Sequence, residues 1–195
     1  MIKELQDPKC KLVISHEAGD EGFEYPDWIK EYSKKQEVDL RVVTTRIADP
    51  LTKHMNSEQQ PTLWDIYPHA DFITYPSLIE GFGNAFLEAI YFKKPILVNR
   101  YDTFVRDIEP LGFDLAVMDG YLTGKTIRTV KEILESAKRR ERMVERNYEI
   151  ASRHYSYSVL SKHISTIMTN FFGEELPQHM EKVISHLAKR LVDNQ

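Results

Sequence analysis

Residues 75–92 read YPSLIEGFGNAFLEAIYF, and their reading decides the fold. They spell the end of a strand, a short glycine-bearing loop and the helix that follows. The run before and into them, 71–75 (DFITY), suits a brief buried strand. Pro76 and Ser77 stop that strand. Gly81 and Gly83 stand where a backbone turns tightly and approaches something closely. From Asn84 onward, Ala85, Phe86, Ala89 and Ile90 recur at helical spacing. A glycine loop feeding a helix N-terminus leaves backbone N–H groups aimed at one spot. The helix dipole adds about half a positive charge there, so the spot suits a phosphate.

Two glutamates frame this loop. Glu80 precedes it, and Glu88 lies in the helix with seven residues between the pair. Gly81, Asn84 and Glu88 share one helical stripe, away from the apolar one. Helical side chains lean toward the N-terminus, so Glu88 reaches back beside a phosphate held by the loop. A carboxylate repels phosphate but accepts well from two vicinal hydroxyls, as acidic residues do for ribose in dinucleotide sites. Glu80, at the other end of the phosphates, could bind hydroxyls of an attached sugar. Glutamates alone at this spacing are common on solvated helix faces. Here Pro76, Ser77, both glycines and the preceding strand stand in register with them.

The segment PSLIEGFGNAFLEA, 76–89, resembles the donor-site signature of retaining glycosyltransferases of GT-B architecture, the group that includes glycogen and sucrose-phosphate synthases. The resemblance implies that Glu88 holds the ribose of a nucleotide sugar and that Glu80 contacts the transferred sugar as the catalytic-site carboxylate. It also implies that the loop amides of Gly81, Phe82, Gly83 and Asn84 contact the diphosphate. Ser77 joins the expected donor-binding set from the strand end. Arg46 and Ile47 join it from the segment after the strand 39–44 (DLRVVT), where the family lays its nucleobase. No metal or other cofactor is implied; the nucleotide sugar is the substrate.

The rest of the chain fits a Rossmann-like α/β fold, a parallel sheet with helices on both faces, the C-terminal half of a GT-B fold. Residues 2–6 read as the last turns of a helix, cut short by Asp7-Pro8 and expected to expose an incomplete apolar face. Residues 10–15 (CKLVIS) read as a strand. In the resembled family an earlier strand, a loop with an arginine and a lysine, and a long helix come first. The resemblance therefore implies a fragment that lacks its first strand and the acceptor-binding N-terminal domain, and that is inactive alone. A polar loop, 17–26, precedes a helix over 27–36 with Trp28, Ile29 and Tyr32 inward. A long polar loop, 48–60, leads to a helix begun by Pro61, with Leu63, Ile66 and Tyr67 facing a core.

After the signature helix, 95–99 (PILVN) is near-continuously apolar, as buried parallel strands are. The family continues with two glycines and a glutamate; this chain has RYDTFVRDIEPLG instead. Arg100, Tyr101 and Asp102 stand at the right place to finish the sugar pocket, while Arg106 and Asp107 suit a surface ion pair. Residues 114–118 (DLAVM) form the last strand, with a turn at Asp119-Gly120. A helix over 126–147 follows, its KRRERMVERN part read as a solvated face. Ser156 or Ser158 caps a further helix whose apolar side is Leu160, Ile164, Ile167, Met168 and Phe171, and Gly173 ends it. These elements make a donor-binding domain of 1–173. A separate amphipathic helix over 174–195 would dock on the missing domain or make an oligomer contact.

Composition excludes several classes. A net charge of −4 over 195 residues argues against a nucleic-acid surface. No apolar run nears the ~20 residues of a membrane span, and the start MIKELQDPK is charged, so a cytoplasmic protein is expected. The lone Cys10 cannot form an internal disulfide. The seven histidines fall in no HExxH spacing, there is no GxSxG elbow around Ser77, and GKT at 124–126 lacks the glycine of a phosphate-binding Walker loop. The resulting expectation is transfer of a hexose, glucose or mannose, from a nucleoside diphosphate sugar to a small acceptor of the compatible-solute kind. The alternatives are a nucleotide-sugar-binding module without turnover, or a GT-B-like sugar-nucleotide epimerase, which needs acid and base groups not found in the sequence.

Overall fold

Short strands alternate with helices along the chain, and every named strand pair is parallel. The computed structural model describes residues 1–5, 7, 9–15, 24–43 and 63–173. A single helical turn, α1 (Ile2–Leu5), precedes β1 (Lys11–Ile14). Parallel neighbours need a crossover connection. α2 (Glu24–Lys35) supplies it and returns the chain to β2 (Asp39–Val42), which pairs with β1 from Lys11 opposite Asp39 to Ile14 opposite Val42. α3 (Leu63–Ile66) runs into a 3₁₀ turn at Tyr67–His69 and then β3 (Ile73–Tyr75). α4 (Asn84–Tyr91) crosses to β4 (Ile96–Asn99). A π-helical turn at Phe104–Ile108 and a 3₁₀ turn at Glu109–Leu111 bring the chain to β5 (Ala116–Met118). Three helices follow: α5 (Gly124–Glu135), α6 (Ala137–Tyr155) and α7 (Tyr157–Phe172).

The described strands form two ladders, β1–β2 and β3–β4–β5, rather than one continuous sheet. β4 is central in the larger one, with Leu97 opposite Ala116 on one side and Thr74 on the other. All four of its residues are buried, as the apolar run predicts. Around it lie Phe86, Ala89 and Ile90 of α4, the expected apolar stripe. Leu97, Ala116, Val130, Ile133 and Met143 form a further core cluster. The chain divides into two compact units, Met1–Tyr148 and Glu149–Gln195, and all five strands lie in the first.

Four local expectations are corrected. The first turn does not leave its apolar face bare: Met1 and Leu5 pack against the cluster around Leu97. In α2 the inward stripe runs through Ile29 and Ser33, and Gln36 continues it just past the helix end. Trp28 and Tyr32, one position earlier, are 56% and 51% exposed and stack on each other at 5.1 Å. The helix expected over 126–147 is two helices, because Ser136 takes extended backbone angles. Its hydroxyl accepts from the Arg139 N–H, while Arg140 donates to the carbonyls of Ile133 and Leu134, so both helix ends find partners. The charged stretch of α6 is also only partly a solvated face. Arg139 forks onto Asp114, and buried Asn147 bonds both the N–H and the carbonyl of Asp114, fixing the approach to β5.

Thr123 caps α5 by accepting from the Thr126 N–H. Ser156 is the N-cap of α7, where its hydroxyl meets that of Ser158, and Gly173 closes that helix with φ of +81°. The helix expected within 174–195 and the loop 48–60 lie outside the described residues. No described helix is long and apolar enough to cross a membrane.

Candidate functional site

The C-terminal ends of β3, β4 and β5 meet at the glycine loop, the edge at which open α/β sheets take ligands. Pro76, lacking an N–H, follows β3 and releases the chain into the loop. The loop ends at Gly83, the N-cap of α4, with φ of +91°. A Cβ there would stand 2.5 Å from the Tyr101 hydroxyl and 3.1 Å from a ring carbon of Tyr75. Gly83 is thus required twice, by its left-handed backbone and by the lack of room. Gly81 differs: a Cβ there would meet nothing within 4 Å, so its backbone faces open space.

Buried polar groups brace this loop from below. The Tyr101 hydroxyl donates to the carbonyl of Phe82 at 2.8 Å, and its ring meets that of Tyr75 edge to face at 6.3 Å. Asn99, at the end of β4, donates through Nδ2 to the Ser77 carbonyl at 3.0 Å and accepts at Oδ1 from the Gly120 N–H at 2.8 Å. One side chain therefore ties the start of the loop to the turn after β5. At the other end the Phe86 N–H bonds the Gly83 carbonyl at 3.0 Å, the amides of Asn84 and Ala85 precede that bond, and the dipole makes that end positive. Asn84 is exposed at the first helical position and Phe82 is half-buried.

Glu88 is held by a tyrosine. The Tyr67 hydroxyl donates to Glu88 Oε2 at 2.8 Å. Tyr67 is 7% exposed, and its ring stacks on Phe92 at 5.0 Å, nearly parallel. Burial first, then the hydrogen bond to Glu88 and its charge, push the Tyr67 hydroxyl well above the usual tyrosine range. Tyr75 is raised in the same way, by burial and then by its hydrogen bond to Glu80 and the Glu80 charge; a hydrogen bond with Ser77 works in the opposite direction. Both glutamates are half-buried. A carboxylate that accepts one tyrosine hydroxyl keeps acceptor capacity for others.

Ser77, Glu80, Gly81, Phe82, Gly83, Asn84 and Glu88 all lie in this one loop and helix start. Arg46 and Ile47 lie outside the described residues. The expectation that Arg100, Tyr101 and Asp102 finish a sugar pocket is corrected for the first two. Arg100 forks onto Glu109 at 2.9–3.3 Å and reaches Asp119 at 3.1 Å, so each of its three guanidinium nitrogens is engaged. Tyr101 is a buried brace beneath the loop. Asp102 is exposed. Arg106 and Asp107 make the exposed surface pair read from the sequence. Tyr67, Asn99 and the bracing role of Tyr101 escaped that reading. Only Asn99 carried a signal, as the one polar residue closing a wholly buried strand. Among the described residues no three His, Cys, Asp or Glu side chains converge as metal ligands would.

Comparison with known proteins adds to this geometry. The family model for glycosyl transferases group 1 matches residues 1–150. The chain is similar to a mannosylglucosylglycerate synthase of Petrotoga mobilis, 45% identical over 113 residues, which is 58% of this chain and 25% of that protein. It is also similar to a mannosylglucosylglycerate synthase of Thermotoga maritima, 30% identical over 158 residues, 74% of this chain and 35% of that protein. The chain thus spans about a quarter to a third of the length of the curated relatives it matches. In structure it resembles the C-terminal domain of a glycosyl transferase group 1 family protein (LpcC) from Francisella tularensis. The TM-score is 0.62 at 17% identity, covering 80% of this chain and 75% of that one. It also resembles TarM, with a TM-score of 0.58 at 15% identity, covering 84% of this chain and 30% of that one. The shared fold is Rossmann-like α/β, parallel strands with helices around them.

Proposed function

The chain belongs to the glycosyl transferases group 1, and we propose that residues 75–92 hold a nucleoside diphosphate sugar from which a hexose passes to an acceptor hydroxyl with retention of anomeric configuration. The observation that carries this reading is the left-handed Gly83 at the head of α4, locked over Tyr101, with Glu88 on the same helix. That arrangement aims helix amides at a diphosphate and sets a carboxylate beside it for the ribose.

Each group then has one task. The amides of Gly81, Phe82, Gly83 and Asn84 donate to the diphosphate. Glu88 accepts the ribose hydroxyls, and Glu80 orients the hexose. As the bond from the sugar's anomeric carbon to phosphate oxygen breaks, negative charge grows on the departing diphosphate. Fixed N–H groups at a helix N-terminus stabilise that charge without reorganising. The acceptor oxygen bonds the same carbon, and its proton passes to the leaving phosphate. The names of the two curated relatives favour mannose as the hexose and a glucosylated glycerate as acceptor. The residues given a task all serve the donor, so the 195 residues alone are expected to bind donor without turnover.

Calorimetry with UDP-, GDP- and ADP-hexoses tests the reading. One base is expected to bind, and Glu88→Ala is expected to weaken it about tenfold to a hundredfold, the value of hydrogen bonds to a charged group. An affinity unchanged in Glu88→Ala removes the ribose role.

A further inference from the structure

The pairing of Tyr67 with Glu88 is built rather than incidental. Tyr67 lies in the 3₁₀ turn before β3 and Glu88 in α4, so no local periodicity brings them together. The ring is buried and stacked on Phe92, which fixes where the hydroxyl can be. That hydroxyl meets one carboxylate oxygen at 2.8 Å. We infer that Tyr67 is a positioning residue that sets the rotamer of Glu88 so that the carboxylate faces the two hydroxyls of a donor ribose.

The chemistry of the partner matters. An arginine would fork across both carboxylate oxygens and fill them. A lysine would bring a mobile charge on a flexible stem. A tyrosine gives one neutral donor from a rigid ring, fixing one oxygen and leaving the remaining lone pairs for two incoming hydroxyls. The Glu88 carboxylate is thus met by a neutral phenol, and the helix N-terminus offers the diphosphate its positive end.

This inference rests on the donor-site reading, and the test separates the two. The full 195-residue chain is titrated with UDP, GDP and ADP, and the one that binds is compared with its 2′-deoxy form. The parent is expected to prefer the ribose form about tenfold, roughly one hydrogen bond to a charged acceptor. Tyr67→Phe keeps the stacked ring and removes only the hydroxyl. Its expected signature is collapse of that preference to about twofold, with affinity for the 2′-deoxy nucleotide almost unchanged. A merely structural tyrosine would weaken both nucleotides by one factor and leave the ratio at its parent value; that result, or an unchanged ratio with unchanged affinity, overturns the inference. Glu88→Gln is measured beside it. A loss of the preference in Glu88→Gln with retention in Tyr67→Phe leaves the donor site standing and removes Tyr67 alone. Retention in Glu88→Gln, or no binding of any of the three nucleotides to the parent, overturns the ribose reading and this inference together.

Discussion

The β3–β4–β5 ladder and the β1–β2 pair use the same parallel pairing, yet their burial differs. In β4 every residue is buried, Val98 at 0% exposed, and the strand ends on a buried asparagine that bonds both neighbouring loops. In β1 and β2 exposed and half-buried residues alternate, with Val13 at 49% exposed. A ligand loop needs its backbone held within a fraction of an ångström, and a braced, buried strand end can do that where a half-exposed one cannot. The comparison places rigidity under residues 76–83, and it can be broken by substitutions that should matter on one ladder and not on the other.

The largest effect is expected at Gly83. Gly83→Ala places a Cβ in a left-handed residue, a cost of about 1–2 kcal/mol, and drives it into the Tyr101 hydroxyl. The displaced tyrosine loses its bond to the Phe82 carbonyl, for a total of about 3 kcal/mol or more. Gly81→Ala, in open space, should change stability by less than about 0.5 kcal/mol. Urea midpoints of the two variants give the comparison. Equal midpoints would show that the loop is not held from beneath.

The same contrast marks what could be read from sequence. The strand–loop–helix reading of 71–92 stood on local patterns, and local patterns govern there: Phe86, Ala89 and Ile90 are buried at helical spacing, and Gly83 takes the strained turn. The all-apolar 95–99 announced a central strand, now β4. What escaped depends on tertiary contact. Tyr67 meets Glu88 across 21 positions and Asn99 meets Ser77 across 22, so no window of sequence holds either pair. In α2 the period was legible but the phase was not, because a large exposed aromatic pair resembles a core stripe. At Arg100 the residue type and position suggested a ligand contact, and its two carboxylate partners, Glu109 and Asp119, came from later elements.

A middle-sized effect separates the two ladders with identical chemistry. Val98→Ala removes two buried methyl groups at the centre of β4 and should cost about 2–3 kcal/mol. Val13→Ala removes the same groups from a half-exposed position in β1 and should cost about 1 kcal/mol or less. Chemical denaturation with a fixed m-value reads both. A Val13→Ala cost equal to that of Val98→Ala would mean that β1–β2 is as firmly packed as β4, and the contrast in rigidity would fail.

The smallest effect is a pH dependence confined to the braced side. Tyr67 holds its proton above the ordinary tyrosine range, chiefly because it is buried and then because it bonds Glu88. The folded state favours the neutral phenol, so this stabilisation is complete below the unfolded tyrosine value, about 10, and is lost as pH climbs beyond it. Tyr67→Phe forfeits the hydrogen bond, about 1 kcal/mol at pH 7. The variant, however, has no proton to lose at that position. The stability gap between parent and variant should therefore narrow from pH 9 upward and close near pH 11, at a limiting slope of about 1.4 kcal/mol per pH unit. Urea midpoints taken every half unit resolve it. A gap constant through pH 11 would show that the phenol ionises alike in folded and unfolded chains, and the rigid link from the buried ring to Glu88 would then be absent in solution.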